Sequence, residues 1–546
     1  MINQQLGLPV MANDTTYISG YQNQNEGKNA SNQEIFEAFY IIGVERNNSK
    51  QQKDRLFNPK IQYKQYKKKF GDIQYQDEKN QIISIENIIE KFACPSWSDA
   101  EKIINDDIEE EVQRIICQGR VPSENFYMFN IKGDDLQLKN PSNIRILQQF
   151  NHSRQLYGYC LKVDDFLVER FQRNNQIEQI YWKFQKILCF VTYFPIQALF
   201  KTLFEQILFI TKVQRQKIIS GKNANKSEID GVKINQLISK LLSAFILTVS
   251  QYSISKYEQK IEINFAQELK DQNLDLELKQ FFEKTIIQYV VPKTEDLFIE
   301  TKKLEAHIVL QLFSVEQFFS VFMEILKEGK IIFCCQNQNL LTAITSFFHT
   351  ILQPFKWFHQ VIYNLPIESL ALLEFNQPML YGVNMQHQQL KFKRNIIAAN
   401  NMYDITFVDI NEKRSAPQQQ INIIENNQKS KLNWFDQRQQ LAKYFQNQGG
   451  QLKLTPNDYQ ERNAKEFLLQ MQDIIKANLI DKVIPKKEND FVLNQSQKLN
   501  DRFIYNRVIQ KIQKEIDDKN DQTFIQKYVM HAIYFTEYLR FRYVYG

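Results

Sequence analysis

The clearest rhythm of apolar and polar positions runs from Leu312 to Val383. Val315, Phe318, Phe319, Phe322, Ile325 and Leu326 recur three and four residues apart, which predicts a helix with one apolar face. Ser314, with Gln317 three residues on, supplies a capping-box start. Gly329 is placed to close the helix in a left-handed conformation. Ile331–Cys335 is an unbroken apolar run, the pattern of a strand covered on both faces. Asn339 is the predicted cap of a second helix, whose face is Leu340, Leu341, Ile344, Phe347, Phe348, Ile351 and Leu352. Pro354 stops that helix. Val361, Ile362 and Tyr363 read as a further strand, ended by Pro366. Helices alternating with buried strands make the region α/β.

The rest of the chain divides by the same criterion. Residues 1–33 are polar and rich in Asn and Gln, and predict a disordered lead-in. Residues 34–170 read as a small module of several strands and a little helix. Its strands are expected at Phe36–Val44, Lys60–Lys68, Phe126–Ile131 and Arg154–Val163, with an apolar run reaching Phe92–Trp97. Residues 181–410 form a second block. It opens with the buried-strand run Ile187–Phe194. A helix then starts at Pro195 with Ile196, Leu199, Phe200, Leu203, Phe204, Ile207 and Leu208 on one face. Residues 212–231 are polar and expected to be a loop, and the block ends with a strand at Ile405–Ile410. Residues 411–458 read as a polar linker, and residues 459–546 return to helical periodicity.

Composition narrows the function. The chain has 546 residues, enough for two or three domains. Its net charge of +6 is small against 68 basic and 62 acidic side chains. That near-balance describes a solvated surface rather than a nucleic-acid footprint, and leaves room for weak attraction to an acidic membrane. Cys94, Cys117, Cys160, Cys189, Cys334 and Cys335 lack zinc-ligand spacing; most sit in apolar runs, as core thiols of a reducing compartment do. The histidines at 152, 307, 349, 359, 387 and 531 are scattered, so neither a metal nor a cofactor is expected. Ser220–Ser227 resembles a phosphate loop, but Gln216 stands where its first glycine belongs. No run of apolar residues reaches the roughly 20 needed to span a bilayer.

Pro354, Phe355, Lys356, Trp357, Phe358 and His359, then Leu365-Pro366, Pro378 and Tyr381-Gly382-Val383, keep an order and spacing that resemble the central module of the tripartite DENN family. Phe92-Ala93-Cys94-Pro95 and Leu156-Tyr157-Gly158-Tyr159 resemble its upstream module, and the helix at Tyr528–Arg542 its downstream one. The resemblance implies a bilobed α/β architecture: an N-terminal longin-like module, and a larger α/β lobe with C-terminal helices. It also implies a guanine-nucleotide exchange factor for a Rab-type small GTPase, without covalent chemistry. Such a protein is expected to be cytoplasmic and recruited peripherally to vesicle or endosomal membranes. The alternative is a non-catalytic scaffold or effector that recruits Rab GTPases or their regulators. A GTPase-activating role would need a projecting arginine; Arg145 and Arg154 lie near a polar loop, but nothing singles either out. Asp404 and Asp409, which flank a buried strand, His359 near a strand start and Lys356 in a turn are the candidate GTPase contacts. Trp357 reads as core. Nothing in the sequence specifies an oligomeric state.

Overall fold

The structure is a computed structural model. It describes residues 33–46, 57–66, 74–76, 82–95, 100–103, 108–117, 125–132, 155–173, 176–220, 242–243, 245–254, 258–265, 286–292, 305–306, 308–309, 312–313, 315–326, 328–352, 355, 357, 359–374, 377–385, 405–411, 420–425 and 469. Helices and strands are mixed, and the strands form several sheets. The chain divides into two compact units, Met1–Glu295 with Pro366–Leu372 and Asp296–Leu365 with Leu373–Gly546.

The first unit holds β1 (Gln33–Glu34), β2 (Ala38–Arg46), β3 (Phe57–Tyr66), β4 (Gln74–Gln76), β5 (Ile82–Ser84), β6 (Glu101–Lys102), β7 (Phe126–Lys132), β8 (Gln155–Arg173), β9 (Gln176–Thr192), β10 (Ser253–Ile254), β11 (Lys260–Asn264) and β12 (Ile286–Val290). Its helices include α1 (Ile85–Ala93), α2 (Ile108–Cys117) and α3 (Gln197–Ser220). The main sheet is antiparallel, in the order β3-β2-β9-β8-β7, with β6 also on β9. Side chains alternate between its faces. One face carries Phe39, Phe126, Tyr159 and Phe190, and α3 lays Phe200 and Phe204 on them. Tyr159 stacks on Phe200 at 4.6 Å and Phe190 meets Phe204 at 5.2 Å.

The other face carries a row in register across four strands: Tyr40, Cys189, Cys160 and Tyr127. Helix α1 crosses it. Glu86 in its first turn pairs with Lys64 of β3 at 2.6 Å. At its far end the Tyr127 hydroxyl donates to the Ala93 carbonyl. Phe92 packs on Phe129 at 5.9 Å. Gly158 lies directly under that ring, where a Cβ would come within 2.1 Å of the Phe129 Cζ.

Beyond β2 and β7, the strands β8 and β9 continue as a ribbon to Arg173 and Gln176. Ile108 and Val112 of α2 pack with Ile103, Phe166 and Tyr181 of this region. Arg114 grips Glu111 with two bonds of 2.8 Å and reaches Asp164 at 3.1 Å, while Lys183 reaches Glu111 at 2.8 Å. Hydrogen bonds from Arg114 and Lys183 draw the Glu111 carboxyl down to about 2.

The second unit holds α4 (Val315–Leu326), β13 (Lys330–Cys335), α5 (Gln338–Thr350), β14 (Gln360–Leu365), β15 (Met379–Val383), β16 (Ile405–Asn411) and β17 (Gln420–Glu425). Their order is β14-β15-β13-β16-β17, parallel except for β17. All of β13 and β15 is buried, as the apolar runs require. Phe318 of α4 and Phe348 of α5 lie 5.7 Å apart, and Phe348 stacks on Phe333 of β13 at 5.5 Å.

Several expectations shift. The cap of α5 is Asn337, not Asn339: its Oδ1 accepts from the N–H groups of Asn339 at 3.0 Å and Leu340 at 3.2 Å. Residues 212–220, expected to be loop, extend α3; their Lys, Gln and Arg are good helix formers, and no breaker precedes Gly221. The strand β17 falls inside the expected linker, where Ile421, Ile423 and Ile424 give it apolar content. Residues 1–32, Arg145, Arg154 and the C-terminal helices other than Leu469 lie outside the described residues.

Candidate functional site

The central block builds its features at the two ends of the parallel sheet. At the N-terminal end, α4 must turn sharply into β13. Glu328 makes that turn with φ of 54°. Its N–H bonds to the Ile325 carbonyl at 3.0 Å, and the Gly329 N–H bonds to the Glu324 carbonyl at 2.8 Å. These two bonds form a Schellman closure with Glu328, not Gly329, in the left-handed position. Glycine fits the tight space next to it, since a Cβ on Gly329 would stand 2.7 Å from Glu324 Oε2 and 3.0 Å from the Glu324 carbonyl oxygen.

Glu328 also explains His359. The His359 Nε2 lies 3.0 Å from Glu328 Oε1 at an ion-pair distance, without the alignment of a hydrogen bond. The same imidazole meets Trp357 edge to face at 5.3 Å. Trp357 is buried, as expected of a core residue. His359 therefore ties the entry of β14 to the end of α4. Nearby, the Tyr381 hydroxyl and Gln377 both donate to the Gln360 side-chain oxygen.

At the C-terminal end, Asn384 donates from Nδ2 to the carbonyls of Cys335 at 3.0 Å and Gln336 at 2.7 Å. That clamps the exit of β15 to the exit of β13, next to the Asn337 cap. Asp409 belongs to this end. It pairs in register with Cys334, is buried, and helps burial push the Cys334 thiol up. Asn364 sits in a bulge of β14, opposite Gly382. It is fully buried, and among the described residues neither end of its amide has a hydrogen-bond partner. Each such buried group costs about 1–3 kcal/mol.

The structure thus separates two of the candidate contacts. His359 stands before β14 and Asp409 toward the opposite end of β16, and neither exposes much of its side chain. Lys356 and Asp404 lie outside the described residues. Sequence reasoning missed Glu328, Asn364 and Asn384. Only Asn384 left a signal, a polar residue directly after the buried strand β15.

The family model described as the DENN (AEX-3) domain matches this block. A DENN (AEX-3) domain occupies residues 183–413. It begins within β9, so it takes in the end of that strand and α3 as well as the parallel sheet through β16. The DENN domain points to a Rab-related, exchange-factor-like role in trafficking, and implies interaction with Rab GTPases. DENN domains typically act as exchange factors rather than as catalysts of covalent chemistry. No curated protein matches the chain. Among the described residues, no helix is long and apolar enough to cross a membrane.

Proposed function

We propose that this protein is a guanine-nucleotide exchange factor for a Rab-type small GTPase, recruited peripherally to trafficking membranes. The DENN domain at residues 183–413 carries the reading. It is supported by the first unit's antiparallel sheet, with α1 on one face and α3 on the other, the layered build expected of a longin-like module. In this reading the layout is tripartite, and residues 459–546 are the downstream helical module.

Exchange needs no nucleophile. A GTPase holds its nucleotide through Mg²⁺, a phosphate loop and two switch segments. A surface that favours the nucleotide-free switches weakens nucleotide binding by the same free energy, because linkage is reciprocal. About 3–4 kcal/mol of such coupling changes affinity by two to three orders of magnitude. Lys356 and Asp404 are the proposed polar contacts of the central block. His359, close to Glu328, holds the entry of β14, and Asp409 is buried within β16.

Complex formation tests this directly. The full chain should co-elute with at least one Rab stripped of nucleotide, and excess GDP or GTP should dissolve the complex. A complex that forms only with GTP-loaded Rab and survives added nucleotide would instead identify an effector or scaffold.

A further inference from the structure

Two thiols of the first unit lie on the sheet face that α1 covers and a third directly follows that helix; exchange uses none of them. Cys160 of β8 and Cys189 of β9 are direct partners in the antiparallel register. Both are fully buried, and the neighbouring Cys189 adds to burial in pushing the Cys160 thiol up. Cys94, just after α1, is buried close enough to Cys160 to couple with it electrostatically. Lys162 follows Cys160 by two residues on the same face of β8, with its ammonium 5.2 Å from the centre of the Tyr127 ring. That side chain is half-buried. Burial pushes its pKa down, and the neighbouring Cys94 and Cys160 work against that fall.

We propose that Cys160 and Cys189 form a reversible intrachain disulfide, which makes the first unit's sheet sensitive to redox state. In the closed structure burial holds the Cys160 thiol well above its ordinary range, so it is unreactive. Lifting α1 admits water and a small disulfide, R–S–S–R. Lys162 then favours the Cys160 thiolate, whose proton passes to solvent. The thiolate attacks one sulfur of the oxidant, forms a mixed disulfide and expels R–S⁻. Cys189, deprotonated in turn, attacks the Cys160 sulfur and expels the second R–S⁻. Two protein thiols and one R–S–S–R become one protein disulfide and two R–SH, so atoms and electrons balance.

The test uses the full chain, native and fully reduced, exposed to oxidised glutathione. It is then quenched in acid, alkylated and peptide-mapped by mass spectrometry. The expected result is a single linked peptide pair joining Cys160 to Cys189. Two of the six thiols are lost, and dithiothreitol restores both. Cys94→Ala should still cross-link, whereas Cys189→Ala should keep glutathione on Cys160. Six thiols still open to alkylation, or linkage through other cysteines, overturns the proposal. The wild-type map decides the matter even where a variant fails to fold.

Discussion

Replacing Gly382 with alanine should destabilise the second unit, by an amount the bulge in β14 sets. Ile362 pairs with Tyr381 and Leu365 with Val383, so Tyr363 and Asn364 together oppose Gly382. A Cβ at this position would stand 2.2 Å from the Tyr363 carbonyl oxygen, and 3.0 Å from both Leu341 Cγ and Thr345 Oγ1 of α5. The carbonyl would have to retreat by more than about 1 Å in a close-packed interior. None of the three neighbours is the loose end of a side chain. Tyr363 is itself anchored, its hydroxyl 2.8 Å from His349 Nδ1, and Thr345 Oγ1 donates to the Leu341 carbonyl at 2.8 Å. The cost should reach the top of the overpacking range, about 3 kcal/mol. For a unit of this size that lowers Tm by roughly 6–12 °C. Calorimetry of the full chain reads it. Gly329→Ala is the graded comparison: its Cβ would meet Glu324 Oε2 at 2.7 Å and the Glu324 carbonyl oxygen at 3.0 Å, both farther than the 2.2 Å contact at Gly382, so the loss should be smaller, about 1 kcal/mol. A Gly382→Ala transition within about 2 °C of wild type would refute the steric reasoning.

Glu328→Gly removes a left-handed strain worth about 1–2 kcal/mol together with the contact to His359, so its stability should stay close to wild type. Glu328→Ala keeps the strain and loses the contact, and chemical denaturation should place it about 1 kcal/mol below the glycine variant. Asn364→Leu removes two unpaired buried polar groups and should raise the denaturation midpoint by about 1 kcal/mol equivalent; a fall would mean the amide has a partner in solution. Glu111 titrates near 2 in the fold, below its unfolded value of 4.5. Its contribution is therefore complete above pH 4.5 and is lost as the pH falls towards 2. Solvent screening holds it to about 1 kcal/mol or less. Glu111→Gln should flatten urea midpoints measured between those limits, and an unchanged acid slope would count against the Arg114–Glu111–Lys183 network.

Strong apolar periodicity was legible. The face of α3 from Leu199 to Leu208 is buried as its spacing demands, and Ile331–Cys335 is the central strand of the parallel sheet. The ribbon of β8 and β9 was not legible beyond Val163. Its outer stretch owes its order to cross-strand pairing and to α2, and residues such as Asp164, Asp165 and Lys183 look like loop until their partners are known. The turn at Glu328 escaped for a related reason. Sequence marks the glycine, but helix length and the His359 contact move the left-handed position one residue upstream. Of the candidate contacts, chain position found the ends of strands but not which end of the sheet each occupies.

Release of fluorescent GDP from a panel of purified Rab proteins, with and without the full chain, tests the proposed exchange activity most directly. At least one Rab should release its nucleotide about a hundredfold faster at saturating protein, which corresponds to a release barrier lowered by roughly 2.7 kcal/mol. Unchanged release across the whole panel, from protein that is folded by calorimetry, would contradict it.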